Sequence, residues 1–129
     1  MMIYLFVGIG GAIGSIMRYF LSIAFQPIFP IGTFAVNIIG SFCLGLFHAF
    51  FIMQNRINLY LAKGISVGLI GSFTTFSAFS NEMAMLINDE KFALAFIYIF
   101  VSLFGGLLLA WTGFRLGRLF ARYDGDGNE

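Results

Sequence analysis

The chain has 129 residues, 60% hydrophobic and 10% charged, with a formal net charge of +1 and a mean hydropathy of +0.94. Soluble domains carry about a quarter charged residues, so this composition excludes a soluble domain and reads as an integral membrane protein, and no basic cluster suggests nucleic acid. A single cysteine, Cys43, excludes an intrachain disulfide and any cysteine-based metal site; it reads as a small buried apolar residue.

In chain order, four apolar stretches reach the roughly 20 residues that a spanning helix needs: residues 3–25, 32–53, 59–87 and 92–120. The first is preceded by no basic n-region and exceeds the length of a signal-peptide h-region. Ser22-Ile23-Ala24 is therefore not read as a cleavage site. Short links separate the stretches at residues 26–30, with two prolines, 54–58 and 88–91. The tail, 124–129, is polar and glycine-rich and is expected to fray. The fold class is therefore all-α, one transmembrane domain of four helices over residues 1–123 followed by the polar tail. Four helices enclose little by themselves, so a polar pathway would need a second subunit.

Small residues recur four apart in every helix: Gly10/Gly14, Ser41/Gly45, Gly64/Gly68 and Gly113/Gly117. This spacing lets backbones approach closely, where van der Waals contact drives association in lipid. With four spans, both termini and the second link share one side. That side holds Arg56, Lys63, Arg115, Arg118 and Arg122 against Lys91 on the other, which favours cytoplasmic termini.

Polar groups at membrane depth are costly unless they face protein or water. In the first helix, Arg18 lies about seven residues from the end, within reach of the interface by snorkelling. In the second, Thr33, Asn37 and Ser41 share one face. The two hydroxyls are expected to bond back to their own helix. The Asn37 amide cannot satisfy itself that way; helix glue and contact with a substrate both remain open for it. In the fourth, Tyr98 and Ser102 share a face that Gly106 continues. His48 and Trp111 read as interfacial residues, and a lone histidine with no carboxylate or thiolate cluster gives no ordinary metal site. No nucleophile–base pair points to an enzyme.

The third stretch contains only two charged residues, Lys63 and Glu82, the latter expected near the helix end where a carboxylate hydrates. At its centre, residues 71–80 read GSFTTFSAFS. Gly71, Ser72, Thr74 and Thr75 compete for backbone hydrogen bonds, so the helix is expected to break there and free carbonyls for a cation. Beyond the break Phe76, Phe79 and Ser80 share a face. Ring edges carry partial positive charge, so edges, an amide and hydroxyls together suit a small anion, whereas ring faces suit a cation; the sequence does not orient the rings.

These residues carry a resemblance that spans nearly the whole chain. Residues 10–19 (GGAIGSIMRY), 32–42 (GTFAVNIIGSF) and 71–80 resemble the Fluc fluoride channels, small four-helix proteins that passively export fluoride from microbes. The resemblance implies an antiparallel, dual-topology homodimer in the cell inner (plasma) membrane, with two fluoride pores and a structural sodium at the dimer centre. It implies that Phe76 and Phe79 turn their edges to the ion and that Asn37 donates to it. Thr33, Glu82, Tyr98 and Ser102 would form a polar track, and Arg18 would attract or position the anion. The sodium would lie on main-chain oxygens of Gly71 and Thr74. Ala78, where the family commonly has threonine, and Gly106, where it often has serine, thin the polar lining. The one-sided cation bias is at odds with dual insertion and raises a heterodimer with an oppositely oriented partner as a rival to the homodimer. The alternative function is a small multidrug-type dual-topology transporter. That mechanism needs a carboxylate in the first helix, where this chain has Arg18. A purely structural module would not explain the broken, phenylalanine-rich third helix.

Overall fold

In the computed structural model, which describes residues 1–25 and 30–126, the described residues form helices joined by short non-helical links, with no strand among them. The elements are α1 (Met2–Ala24), α2 (Ile31–Phe47) continued by a π-helical turn (His48–Ile52), a composite third rod, and α6 (Phe92–Asp126). The third rod consists of α3 (Leu59–Lys63), a π-helical stretch (Gly64–Ile70), α4 (Gly71–Phe73) and α5 (Phe76–Asn88). Among the described residues four segments are long and apolar enough to cross a membrane: Met2–Ala24, Ile31–Ile52, Leu59–Asn88 and Phe92–Tyr123. They match the four stretches expected from the sequence, and α6 runs further than expected. It continues to Asp126, into the tail that was expected to fray, because adding a residue to an existing helix is far easier than nucleating one. Of the proline-containing link at 26–30, only Pro30 lies within the described residues, where it precedes the first residue of α2.

Both described links close in the same way. Asn55 and Glu90 take left-handed φ angles of 51° and 59°. Around each, one N–H reaches back five residues (Arg56 to Phe51, Lys91 to Leu86) and its neighbour three (Asn55 to Ile52, Glu90 to Ile87). This pattern satisfies the orphan carbonyls of the preceding helix. Asn58 then starts α3, its side chain accepting from the Leu61 N–H at 2.8 Å.

The helices associate as two tight pairs. α1 lies along the first half of the third rod, and α2 lies along α6. The small-residue spacing explains both. A Cβ at Gly10 would strike the Gly64 carbonyl oxygen, one at Gly14 the Leu69 carbonyl, and one at Gly68 would stand 2.6 Å from the Val7 carbonyl. In the other pair, Gly45 abuts the Ala110 carbonyl, Gly113 that of Phe42, and Gly117 that of Leu46. The pairs meet more loosely along a seam, closed at one end by buried Met83, Leu86, Ala95 and Tyr98 with Phe34 and Phe79 packed against them. Cys43, expected in the interior, is exposed, since α2 turns Asn37, Gly40 and Ser41 inward instead.

Gly14→Val forces two backbones apart and is expected to destabilise the fold by about 1–3 kcal/mol. Gly8, with nothing within 4 Å of its Cβ position, accepts alanine without loss. Thermal unfolding of the two variants in detergent compares them directly, and equal midpoints would refute the close-packing account.

Candidate functional site

Halfway along the third rod the helix opens. Thr74 (ψ 157°) and Thr75 (φ −145°, ψ 120°) are extended between α4 and α5. α5 restarts on the Thr75 hydroxyl, which accepts from the Ala78 N–H at 3.2 Å. The main chain of Thr75 is held from outside its own helix: its N–H donates to Asn37 Oδ1 at 2.8 Å, and its carbonyl accepts from Asn37 Nδ2 at 3.0 Å. The asparagine amide thus supplies both partners that helical continuity would have supplied. Because the Thr75 N–H points at Asn37, the Gly71 carbonyl loses its helical donor; the Thr74 hydroxyl donates to it at 3.3 Å. That hydroxyl is shared with the Ile70 carbonyl at 3.2 Å. Of the two roles left open for Asn37, glue is therefore observed, and its second N–H makes no hydrogen bond among the described residues.

Beside the break, in the seam, lies a cavity of about 470 Å³. Asn37, Ser41, Thr75, Phe76, Phe79 and Ser102 contribute to its wall, together with Gly71 and Thr74, and among the described residues no charged side chain does. The Ser102 hydroxyl is buried and has no hydrogen-bond partner among the described residues. An unpartnered buried hydroxyl is costly in an apolar setting. The Phe76 and Phe79 ring centroids are 6.1 Å apart with planes at 34°, and Phe79 stands 5.1 Å from Tyr98 at 50°. Phe79 is half-buried, whereas Phe76 is 80% exposed. Ser80 is also exposed and contributes to neither large cavity. Gly106 does continue the Tyr98/Ser102 face: a Cβ there would lie 3.5 Å from Ser41 Oγ.

Two sequence expectations are corrected around Glu82. Its carboxylate is not left to water: Thr33 donates to Oε1 at 2.6 Å and Tyr98 to Oε2 at 2.7 Å. Such short, charge-assisted bonds outcompete the weak back-bond expected of Thr33. Ser41 does bond back, to the Asn37 carbonyl at 2.8 Å. The triad Thr33–Glu82–Tyr98 ties α2, α5 and α6 together at one end of the seam.

Arg18 joins a separate cavity of about 560 Å³, whose wall includes Ser15, Thr33, Thr75, Ser77 and Ala78. Thr75 borders both cavities, so the break is the partition between a space bearing a cation and a space bearing none. The sequence singled out Thr75 as a helix breaker and missed it as the element that Asn37 grips. A threonine at the start of a new helical run carries a capping signal, but no spacing rule links Thr75 to a residue 38 positions away. Among the described residues no group of three or more His, Cys, Asp or Glu side chains could hold a metal.

Comparison with known proteins adds the family. The model for CrcB-like protein, Camphor Resistance, matches residues 5–114. The chain belongs to the CrcB-like family. Relatives named fluoride-specific ion channel FluC include one from Flavobacterium psychrophilum, 38% identical over 117 residues that cover 88% of this chain and 94% of that one. Two others named FluC 2 come from Listeria innocua, 43% identical over 94% of this chain and 95% of the relative, and Staphylococcus haemolyticus, 40% identical over 88% and 95%. Ion channels, not enzymes, are what these names describe. The CrcB-like match takes in every residue of the break and of both cavities, and ends one residue before Arg115.

Asn37→Leu removes both partners of a buried main-chain unit, at about 1–3 kcal/mol for each group left unsatisfied. A clear fall in thermal midpoint is expected, against little change for Ser41→Ala, which loses only a back-bond. Equal midpoints for the two variants would mean that Asn37 does not hold the break.

Proposed function

We propose that this protein is a passive fluoride channel, working as an antiparallel homodimer in the inner membrane of the cell, with one pore running along each seam. The observation that carries the reading is the composition of the seam cavity. It offers an anion an amide N–H, an idle hydroxyl and two phenylalanine rings, and among the described residues no charged side chain. A fixed cation there would trap fluoride, and a fixed anion would repel it. Neutral donors and ring edges replace part of its hydration shell while leaving it free to depart. Fluoride as the ion rests on the relatives' names and on the motifs shared with them.

In this reading Arg18 raises the local anion concentration in the cavity it borders, in the manner of charge focusing in a cleft. The ion passes the Asn37–Thr75 partition and then moves between Phe76 and Phe79 with Asn37 and Ser102 as donors. Thr33, Tyr98 and Glu82 line the continuing polar track, with the two hydroxyls held ready by the carboxylate. Neutral HF enters from acidic surroundings and dissociates at cytoplasmic pH; the channel lets the trapped anion leave down its gradient, driven further by a negative-inside potential. No coupling step is needed.

The dimer is supported by what α5 presents outward. Phe76, Ser77, Ser80 and Asn81 are all exposed on one chain, and lipid cannot satisfy hydroxyls and an amide. A second copy covers them and completes each pore. The Gly71 carbonyl, deprived of its helical donor, and the Thr74 carbonyl at the end of α4 have the chemistry of a sodium site, since hard cations take oxygen ligands at broken helix ends. Two oxygens from one chain are too few, and the same two from a second copy complete a four-oxygen set around the dimer axis. Sodium bound there neutralises carbonyl dipoles and fixes the two breaks against each other.

Fluoride efflux from liposomes, with chloride as control, tests the proposal. Efflux by the unaltered chain is expected to be fast and to exclude chloride. Phe76→Ile and Phe79→Ile are each expected to reduce it to the leak of protein-free liposomes while the dimer persists in size-exclusion chromatography. Asn37→Asp, which sets an anion in the path, is expected to do the same. Undiminished flux in both phenylalanine variants would remove the rings from the pathway.

A further inference from the structure

The far end of α6 is unused by the conduction pathway. From Phe92 to Phe114 the helix carries no charged side chain; then come Arg115, Arg118 and Arg122. At 100° per residue these three and Trp111 fall within about 60° of one another, and the arginines span about 10 Å of helix. All are exposed. The three arginines and Leu119 wall a third cavity, of about 260 Å³. Arg115 stacks on the Trp111 ring, 4.7 Å from its centroid, and no carboxylate among the described residues pairs with Arg115, Arg118 or Arg122. From the adjoining turn, Arg56 reaches the Ala121 carbonyl at 3.4 Å, which brings a fourth guanidinium to the same end.

Helix length sets the depth of this stripe. A hydrocarbon core of about 30 Å takes about 20 residues, so a helix that enters at Phe92 emerges near Trp111. Tryptophan is at home at that boundary, and the next two turns then stand at the level of lipid phosphates. Guanidinium groups match phosphate oxygens in bidentate geometry. Around them Leu116, Leu119 and Phe120 are exposed. The occupant therefore needs an anionic phosphate head and an apolar body in contact with it, which a free ion lacks.

We propose that Arg115, Arg118 and Arg122 form a headgroup site for an anionic phospholipid, with Trp111 marking its depth. The three arginines lie just past residue 114, where the CrcB-like match ends.

Trp111 is the chain's one tryptophan and reports on its own neighbourhood. The full-length protein is reconstituted in phosphatidylcholine bilayers doped with either brominated phosphatidylglycerol or equally brominated phosphatidylcholine, and quenching of Trp111 is compared. An arginine near an anionic surface is worth up to about fivefold in local enrichment, so the anionic quencher is expected to be enriched at Trp111 by about that factor or more. The Arg118→Gln/Arg122→Gln double variant is expected to abolish the preference and keep fluoride efflux. Equal quenching by the two lipids with the unaltered protein overturns the proposal, whatever the variant does. So does a preference that survives in the double variant. Loss of the preference on adding inorganic phosphate would make this a free-anion site. Its appearance only after residues 124–129 are deleted would mean that the acidic tail, not lipid, occupies the stripe. Either result also overturns it.

Discussion

An extended main chain inside an apolar span must place its N–H and C=O groups somewhere, and here one side chain takes both. The two hydrogen bonds between Asn37 and the main chain of Thr75 are the interaction on which the rest of this molecule turns. Without them the pair Thr74–Thr75 would be driven back into helix, Gly71 would regain its donor, and the partition between the two cavities would vanish. Asparagine alone among short side chains presents a donor and an acceptor side by side in the spacing of a peptide group. Aspartate loses the donor, serine the reach, and leucine both.

The architecture around this grip divides labour between rigid and loose contacts. Glycine-lined interfaces bring α1 against the third rod and α2 against α6 at distances where no side chain intervenes. Such contacts leave no room for water or ions. The polar chemistry of the break is gathered in the seam between the two pairs, where the larger side chains Asn37, Phe79 and Tyr98 stand and Glu82 bridges three helices. One set of residues makes walls and another keeps the gap between walls open.

Much of this was legible in the sequence because it is written in local or periodic terms. The four spans follow from apolar length, the tight pairs from small residues four apart, and the break from hydroxyls crowded next to Gly71. What stayed hidden is pairwise and distant. Nothing in the spacing of Asn37 and Thr75 announces that they meet, so Asn37 remained undecided between glue and ion contact. Glu82 looked like a carboxylate at a wet helix end because its partners, Thr33 and Tyr98, lie on other helices. Thr33 was misread for the same reason: its default back-bond loses only when a carboxylate arrives from across the seam. Cys43 was misjudged because α2 has two apolar faces, and hydrophobicity alone does not say which one looks inward.

The length of α6 has a consequence for the whole assembly. Its uncharged run, residues 92–114, is about 35 Å of helix against an oily layer about 30 Å thick, and the helix goes on past it to Asp126. A rod that long leans or projects, and the angle it adopts follows membrane thickness. Because Gly45, Gly113 and Gly117 lock α2 to it, α2 leans too, and carries Asn37 along. Bilayer depth thereby becomes a mechanical input at the threshold between the two chambers.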